Sequence, residues 1–350
     1  MTSPPARVVT VTANPSIDHT VWVPGFRAGE VNRVAAEDRS PGGKGVNVAA
    51  ALRVLGVDAD ATGFLGAANA GLFEEFFAAE GIGDRFVRLP GVTRTGIKIV
   101  DEAGTTTDVN FPGIGPGPGD VERLEAAVAD AAVGAAWVVL SGSLSPGAPA
   151  DLYARLTEVA HAAGSAVAVD TSGAALAAAV AAGPEMVKPN VEELEDLARR
   201  PLPDMVALLG AVADVQAAGV ACVVVSMGAE GALFVAGDEA VVARPPVVAV
   251  VSTVGAGDAT VAGTVAGLLR TGPPALVGRA AHDIAGGGGL GGDPPVRVGG
   301  GSLADVARLA VGCGATAVAG VGPRLDPAVV DARAGEVRIE ELSVARRTSP

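Results

Sequence analysis

Short β-branched runs alternate with alanine-rich stretches along most of this 350-residue chain. A continuous apolar run bounded by Gly or Pro reads as a buried strand, whereas a longer stretch with polar residues returning at helical spacing reads as a helix. The strands predicted in this way are Val8 to Val11, Trp137 to Leu140, Ala166 to Val169, Met186 to Lys188, Cys222 to Val225 and Leu233 to Val235. Helices fall between them at Asn47 to Leu55, Leu72 to Ala79, Asp120 to Ala132, Asp151 to Ala163 and Met205 to Ala218, several followed directly by a glycine stop. This is the rhythm of βαβ units, so the expected fold is α/β: a central, mostly parallel sheet with helices on both faces. Two segments break the rhythm. Residues 17–37 and 95–111 alternate as strands without an intervening helix, with turns at Pro24-Gly25 and Glu102-Ala103-Gly104, and are expected to form a small β lid. Near the C-terminus, nine glycines between Gly286 and Gly301, with Pro294 and Pro295, read as a flexible insertion.

Composition narrows the class. Hydrophobic residues make up 49% of the chain, enough for a large core, and no stretch is apolar for long enough to span a bilayer. The formal net charge of −14 argues against nucleic acid or an anionic membrane as a partner, so an anionic substrate would need a local basic pocket. No apolar leader separates Met1 from the first strand, and a cytoplasmic location is expected. Cys222 and Cys313 stand alone in apolar surroundings and suit neither a disulfide framework nor zinc spacing, and both read as core residues. His19, His161 and His282 fall in no metal spacing.

Candidate chemistry concentrates at Thr253-Val254-Gly255-Ala256-Gly257-Asp258. Val247 to Val251 reads as a buried strand and Ala259 to Leu269 as the following helix. The amides of Gly255, Ala256 and Gly257 should then point out of a positive helix end and form a nest for an anion. Asp258 beside that nest is a candidate base, its basicity reduced by the helix end; by itself it reads equally as a first-turn aspartate that complements the helix dipole. A second glycine-rich turn, Pro41-Gly42-Gly43-Lys44-Gly45-Val46-Asn47, precedes a helix; Gly43 lets a ligand approach, Lys44 offers a charge to phosphate and Asn47 a hydrogen bond. Its spacing matches neither the dinucleotide fingerprint nor the Walker A loop, and alone it is also only a tight connection. Asp18, where the first strand gives way to the lid, is placed to bind sugar hydroxyls or to form a turn.

These pieces, with Gly29-Glu30-Val31-Asn32-Arg33, Thr93-Arg94-Thr95, Asn110-Phe111-Pro112-Gly113, Ser141-Gly142-Ser143-Leu144, Asp170-Thr171-Ser172-Gly173 and Lys188-Pro189-Asn190 with Glu193, resemble in order and content the PfkB, or ribokinase-like, carbohydrate kinases. The 1-phosphofructokinase and tagatose-6-phosphate kinase branch is the nearest match, over about Val8 to Arg324. The resemblance implies a ribokinase-like kinase domain over residues 1–325, with residues 326–350 as a tail. It makes Asp258 the base and the amides of Gly255, Ala256 and Gly257 the cradle of the transferring phosphoryl. It gives Asp18, Gly43, Asn47 and Ser143 to the sugar, and Arg33 and Arg94, assisted by Lys44, to a phosphate already on the substrate, which a guanidinium fork matches. ATP falls to Lys188, Asn190, Glu193, Ser226, Gly228, Gly231 and Thr253, with Asn190 and Glu193 organising Mg²⁺ through water.

The implied reaction is ATP-dependent phosphorylation of a phosphosugar, with fructose 1-phosphate to fructose 1,6-bisphosphate first and tagatose 6-phosphate or fructose 6-phosphate as alternative substrates. A homodimer is compatible with this reading. A non-catalytic sugar-phosphate-binding protein on the same fold is the alternative from another class; the intact Asp258, Lys44, Asn190 and Glu193 speak against it. A nicotinamide enzyme would need a Gly-x-Gly-x-x-Gly turn after the first strand, which Ala13-Asn14-Pro15-Ser16 is not. Two positions depart from the family pattern: Ser145 replaces a usual proline, and Gly96 stands where the 1-phosphofructokinases usually carry Asn, which leaves the sugar open. The insertion precedes Leu309 to Gly322, which in relatives helps wall the adenine site.

Overall fold

The computed structural model of the chain describes residues 6–271, 301–320 and 325–342. The predicted insertion, up to residue 300, lies outside them. The chain opens with β1 (Arg7–Thr12), then runs through β2 (Ser16–Trp22) and β3 (Ala36–Gly42) into α1 (Lys44–Val54) and β4 (Asp58–Gly66). Next come α2 (Gly71–Glu80), the short β5 (Gly83–Asp84) and β6 (Val87–Leu89), and the pair β7 (Thr95–Val100) and β8 (Thr106–Val109). Regular alternation follows with α3 (Asp120–Ala132), β9 (Trp137–Ser141), α4 (Leu152–Ala162), β10 (Ala166–Asp170), α5 (Gly173–Ala181) and β11 (Met186–Val187). Helices α6 (Val191–Ala198) and α7 (Met205–Ala217) lead to three strands, β12 (Cys222–Ser226), β13 (Ala232–Ala236) and β14 (Glu239–Arg244). The chain ends in α8 (Ala256–Thr271), α9 (Leu303–Val318), α10 (Pro327–Glu336) and β15 (Arg338–Leu342).

The main sheet has the order β15-β14-β13-β12-β11-β10-β9-β1-β4-β5, with β6 joining β4. From β4 to β12 the strands are parallel, and β13, β14 and β15 add an antiparallel edge. Two apolar clusters, one on each face, bury the inner strands β9, β10, β11 and β12 on both sides, which is why their sequences read as largely apolar runs. Chain order reverses between β1 and β9, so the crevice beyond their carboxyl ends is the topological switch point, where open α/β sheets bind ligands. The lid is a separate four-stranded sheet, β3-β2-β7-β8.

Three expectations need correction. Residues Val247 to Val251 are not a strand but exposed loop, with Val247 fully in solvent; hydrophobic run length alone cannot tell a buried strand from a loop. Helix α8 accordingly starts at Ala256, and a loop hands over to it rather than a strand. Residues 326–342 are not a tail: the Asp326 carboxylate caps α10, and β15 pairs in register with β14, extending the main sheet. The lid strand β3 also runs further than expected, to Gly42, so that only Gly43 separates the lid from α1. Gly43 sits at φ 114, a region L side chains avoid, and a Cβ there would approach Thr12 Cγ2 to 2.7 Å. Both cysteines are buried, as their contexts imply.

Candidate active site

A cavity of about 470 Å³ opens at the switch point. Strand β1 contributes Thr12 and, just past its end, Asn14; the end of β9 gives Gly142 and Ser143, and that of β10 gives Thr171 and Ser172. Asp18 and Arg94 enter from the lid, Gly43, Lys44 and Asn47 from the start of α1, and Thr253, Val254, Gly255, Gly257 and Asp258 from the start of α8. The strand ends are stitched together by main chain: Gly142 N donates to Asp170 O at 2.9 Å, and the Thr171 hydroxyl donates back to Gly142 O at 2.9 Å.

Helix α8 brings its first turn into this cavity with Gly255 at φ 83. Ala259 N donates to Gly255 O at 2.8 Å, so the amides before it have no carbonyl one turn back and remain available to an anion. Two helices fix Asp258. It is 5% exposed, because α8 packs closely on α9: a Cβ at Gly263 would lie 2.7 Å from Ala310 Cα. From α1, Asn47 Nδ2 donates to Asp258 Oδ2 at 2.8 Å. Burial, reinforced by the nearby Asp170 carboxylate, raises the Asp258 pKa to about 6 despite the Asn47 hydrogen bond and the charges of Lys44 and Lys188. The expected lowering at the helix end is therefore outweighed. A carboxylate of this pKa is ionised at neutral pH and is a stronger base than a solvated one.

Asp170 carries no role in the sequence reading, yet it organises the charges. It lies buried at the end of β10, with Lys44 Nζ 3.3 Å from Oδ2 and Lys188 Nζ 3.1 Å from Oδ1, the latter close in charge but oblique for a hydrogen bond. Burial by itself would raise the Asp170 pKa, but the two ammonium groups hold it below the usual carboxylate value. Lys44 keeps a raised pKa in turn, because Asp170, Asp258 and Glu193 outweigh its burial. The available signal was positional: an aspartate ending a buried strand, followed by small polar residues. Gly142, Thr171 and Ser172, though part of the matched motifs, were likewise given no role, nor were Thr12 and Asn14, since small strand-end residues show what they line only when the sheet aligns them.

At the lid end, burial raises the Asp18 pKa against a 2.7 Å hydrogen bond from the Ser16 hydroxyl and the charges of Lys98 and Arg94. Arg94 is oriented by main chain: Nε donates to Pro15 O at 3.3 Å, Nη1 to Phe111 O at 3.1 Å and Nη2 to Asn14 O at 3.2 Å. It forms no ion pair among the described residues, so its charge is available to a ligand anion. Arg33, expected beside it, is exposed on the loop between β2 and β3 and does not line the cavity.

The nucleotide candidates form a neighbouring group. Asn190 and Glu193 make a capping box on α6, Asn190 Oδ1 accepting from Glu193 N at 2.7 Å and Glu193 Oε2 accepting from Asn190 N at 2.8 Å. Ser226 lies beside them through a bridge to Asn190, and Gly228 and Gly231 shape the turn between β12 and β13. No group of three or more metal-type ligands occurs among the described residues. One capping oxygen each and the free Glu193 Oε1 fit a Mg²⁺ that arrives with phosphates and keeps its waters, rather than an all-protein cage.

A carboxylate base, a helix-end anion nest and a cationic cluster around one cavity are the parts of a phosphotransferase, and the chain belongs to the pfkB family of carbohydrate kinases, whose family model matches residues 8–328. It is an ATP-dependent carbohydrate kinase with the ribokinase-like fold that the motifs implied. Among its relatives, a 1-phosphofructokinase of Rhodobacter capsulatus is 51% identical over 261 residues, covering 74% of this chain and 83% of that protein. The 1-phosphofructokinase of Escherichia coli K12 is 41% identical over 273 residues, 75% and 84% of the two chains. Among solved structures, phosphofructokinase-2 from Escherichia coli in complex with substrates and products superposes with a TM-score of 0.82 at 30% identity, covering 95% of this chain and 99% of that one. No helix among the described residues is long and apolar enough to cross a membrane.

Proposed function

We propose that the chain transfers the γ-phosphoryl group of ATP to the 6-hydroxyl of fructose 1-phosphate, giving fructose 1,6-bisphosphate and ADP. One arrangement carries the reading: the buried Asp258 at a glycine-lined helix end shares a cavity with Arg94, an arginine without an ion-pair partner among the described residues. The relatives named 1-phosphofructokinase support the choice of sugar.

In this mechanism Asp258 accepts the proton of the 6-hydroxyl as the sugar oxygen bonds to the γ-phosphorus; the bond from that phosphorus to the β,γ-bridging oxygen breaks and ADP departs. The amides of Gly255, Ala256 and Gly257, with Lys44 and Lys188, face the charge on the transferring group. Arg94 holds the standing 1-phosphate, and Asp18, Gly43, Asn47 and Ser143 the sugar hydroxyls. Thr253, Ser226, Gly228 and Gly231 border the nucleotide, while Arg33 stays a lid charge. Asn190 and Glu193 would hold Mg²⁺ through water, the ion supplying charge neutralisation on the phosphates. The four-stranded sheet acts as the lid of the sugar site. A homodimer, which would cover the exposed Val31, Val34, Val109 and Phe111 of the lid region, and a cytoplasmic location complete the proposal.

A 6-phosphofructokinase activity is the second reading, favoured by phosphofructokinase-2 from Escherichia coli in complex with fructose-6-phosphate, a structural neighbour at TM-score 0.80 and 29% identity. ADP release measured with fructose 1-phosphate, fructose 6-phosphate, tagatose 6-phosphate and free fructose separates them. A kcat/KM highest for fructose 1-phosphate by about tenfold or more supports the first reading. Preference for another sugar replaces it, and no turnover with any of the four overturns the kinase mechanism.

A further inference from the structure

One buried hydroxyl ties together the strand ends that open the cavity. The ladder between β1 and β9 stops at Val11 and Leu140. Beyond it the two chains part: Gly142 N turns to Asp170 O on β10, while Ala13, Asn14 and Pro15 run from the main sheet to the lid strand β2. Into this fork α4 inserts Tyr153, the single tyrosine of the chain, with none of its surface exposed. Its hydroxyl donates to Ser141 O at 3.3 Å on the β9 side, and a main-chain hydrogen bond from Ala13, on the β1 side, reaches the same oxygen. Burial raises the phenol pKa far above its ordinary value, against the Ala13 bond, so the group stays protonated.

A phenylalanine would fill the same space in the apolar cluster of this face, and a hydroxyl is accommodated there only because its partners offset its desolvation. Those partners are main-chain groups one residue before Asn14 and Gly142, both of which line the cavity. From Asn14 the connection reaches Arg94. Asn14 O and Pro15 O accept two of the three hydrogen bonds that orient the guanidinium, at 3.2 and 3.3 Å. Ile17 N donates to Arg94 O at 2.8 Å, so the segment leaving the fork holds this arginine by main chain and side chain together. Across the fork, on the cavity side, Asn14 Nδ2 reaches Ser143 Oγ at 3.4 Å.

We propose that Tyr153 is a positioning residue for substrate recognition: its hydroxyl sets the width of the fork between β1 and β9 and, through residues 13–15, aims the Arg94 guanidinium at the phosphate of the sugar. This inference rests on the phosphosugar reading above and adds to it a residue that acts on the substrate only through others. Tyr153 packs on the face of the sheet opposite to α8, which carries Asp258. Its effect should therefore appear in the sugar KM and leave the chemical step in place.

The test is Tyr153→Phe, alone and combined with Arg94→Ala, with KM and kcat measured for fructose 1-phosphate and for ATP, and Tm taken to confirm folding. Tyr153→Phe is expected to raise the KM for fructose 1-phosphate about fivefold, with kcat and the ATP KM within about twofold of the parent. In the Arg94→Ala background the same substitution should change the sugar KM by less than about twofold, because the group that it positions is gone. A sugar KM unmoved by Tyr153→Phe overturns the proposal. So does a rise that persists in full without Arg94, or one matched in kcat or the ATP KM, as a general loosening would give. Should the variant not fold, the parent decides: isotope-labelled at its single tyrosine, it is expected to show one NMR resonance that shifts on saturation with fructose 1-phosphate and holds with ATP alone. A resonance that ignores both ligands, or moves equally with both, overturns the proposal. If the parent protein turns over no phosphosugar, the functional reading fails; if it does and the sugar KM ignores Tyr153→Phe, only the role of Tyr153 fails.

Discussion

Helix α8 buries ten of its sixteen residues, Asp258 among them, whereas no residue of the lid strands β7 and β8 is buried. The two regions meet at one cavity and do different work. Asp258 is fixed by Asn47 and by close packing on α9, beside two lysines that Asp170 holds in place, so the proposed base sits in a frame that cannot shift without breaking a core. The lid brings Asp18, and Arg94 just before β7, to the cavity on a thin sheet with little apolar support, where local opening costs least.

That contrast breaks first at Asp258. Asp258→Asn is expected to lower kcat about a thousandfold while leaving the KM for sugar within about threefold, because an amide cannot take the proton yet fills the same space. Its stability should move the other way. The folded-state pKa of about 6 exceeds that of the unfolded chain, so the favourable contribution is full below about pH 4 and is lost as pH rises through about 6. At neutral pH the ionised carboxylate costs about 3 kcal/mol, and the Asn variant should show a raised Tm by differential scanning calorimetry. Unchanged turnover would remove Asp258 from its role. The parent enzyme should also lose kcat/KM with unit slope below about pH 6; an acid limb near pH 4 would mean that burial does not set this base.

Asp170→Asn probes the frame itself. It leaves Lys44 and Lys188 facing each other without their shared carboxylate and should cost about 3 kcal/mol of stability. The Asp170 charge also pushes the Asp258 pKa up, so the acid limb should move to lower pH in this variant. A pH profile that stays in place in a folded variant would show that the two carboxylates are not coupled.

Arg94→Ala, on the lid, is expected to cost about 2 kcal/mol in kcat/KM for fructose 1-phosphate, roughly thirtyfold, with Tm changed little. The same loss on free fructose would show that this guanidinium reads no phosphate.

Much of this was legible in the chain and some was not, for reasons that individual residues make plain. Helix α3 was read at its observed limits, and six main-sheet strands within a residue or two, because burial on both faces leaves an apolar run; the central β4, with Asp58, Asp60 and Thr62 among its residues, was not read. The run Val247 to Val251 has the same appearance, yet no strand pairs with it and it lies in solvent. Asn190 to Glu193 could be read as a cap because a capping box is local. Arg33 could not be placed, since its position depends on how a loop leaves the lid.

Sequence by itself determined the alternation of strand and helix, the glycine nest before Asp258 and the ordered motifs of a sugar kinase, all of which depend on spacing along the chain. Tertiary structure alone decided that Asn47 reaches Asp258 across 211 positions, that Asp170 gathers two lysines, and that Arg94 lines the same cavity as Asp258. The strength of the base belongs to this second group. A pKa of about 6 arises from the water that packing excludes and the charge that folding brings near, and neither quantity is a property of neighbours in sequence.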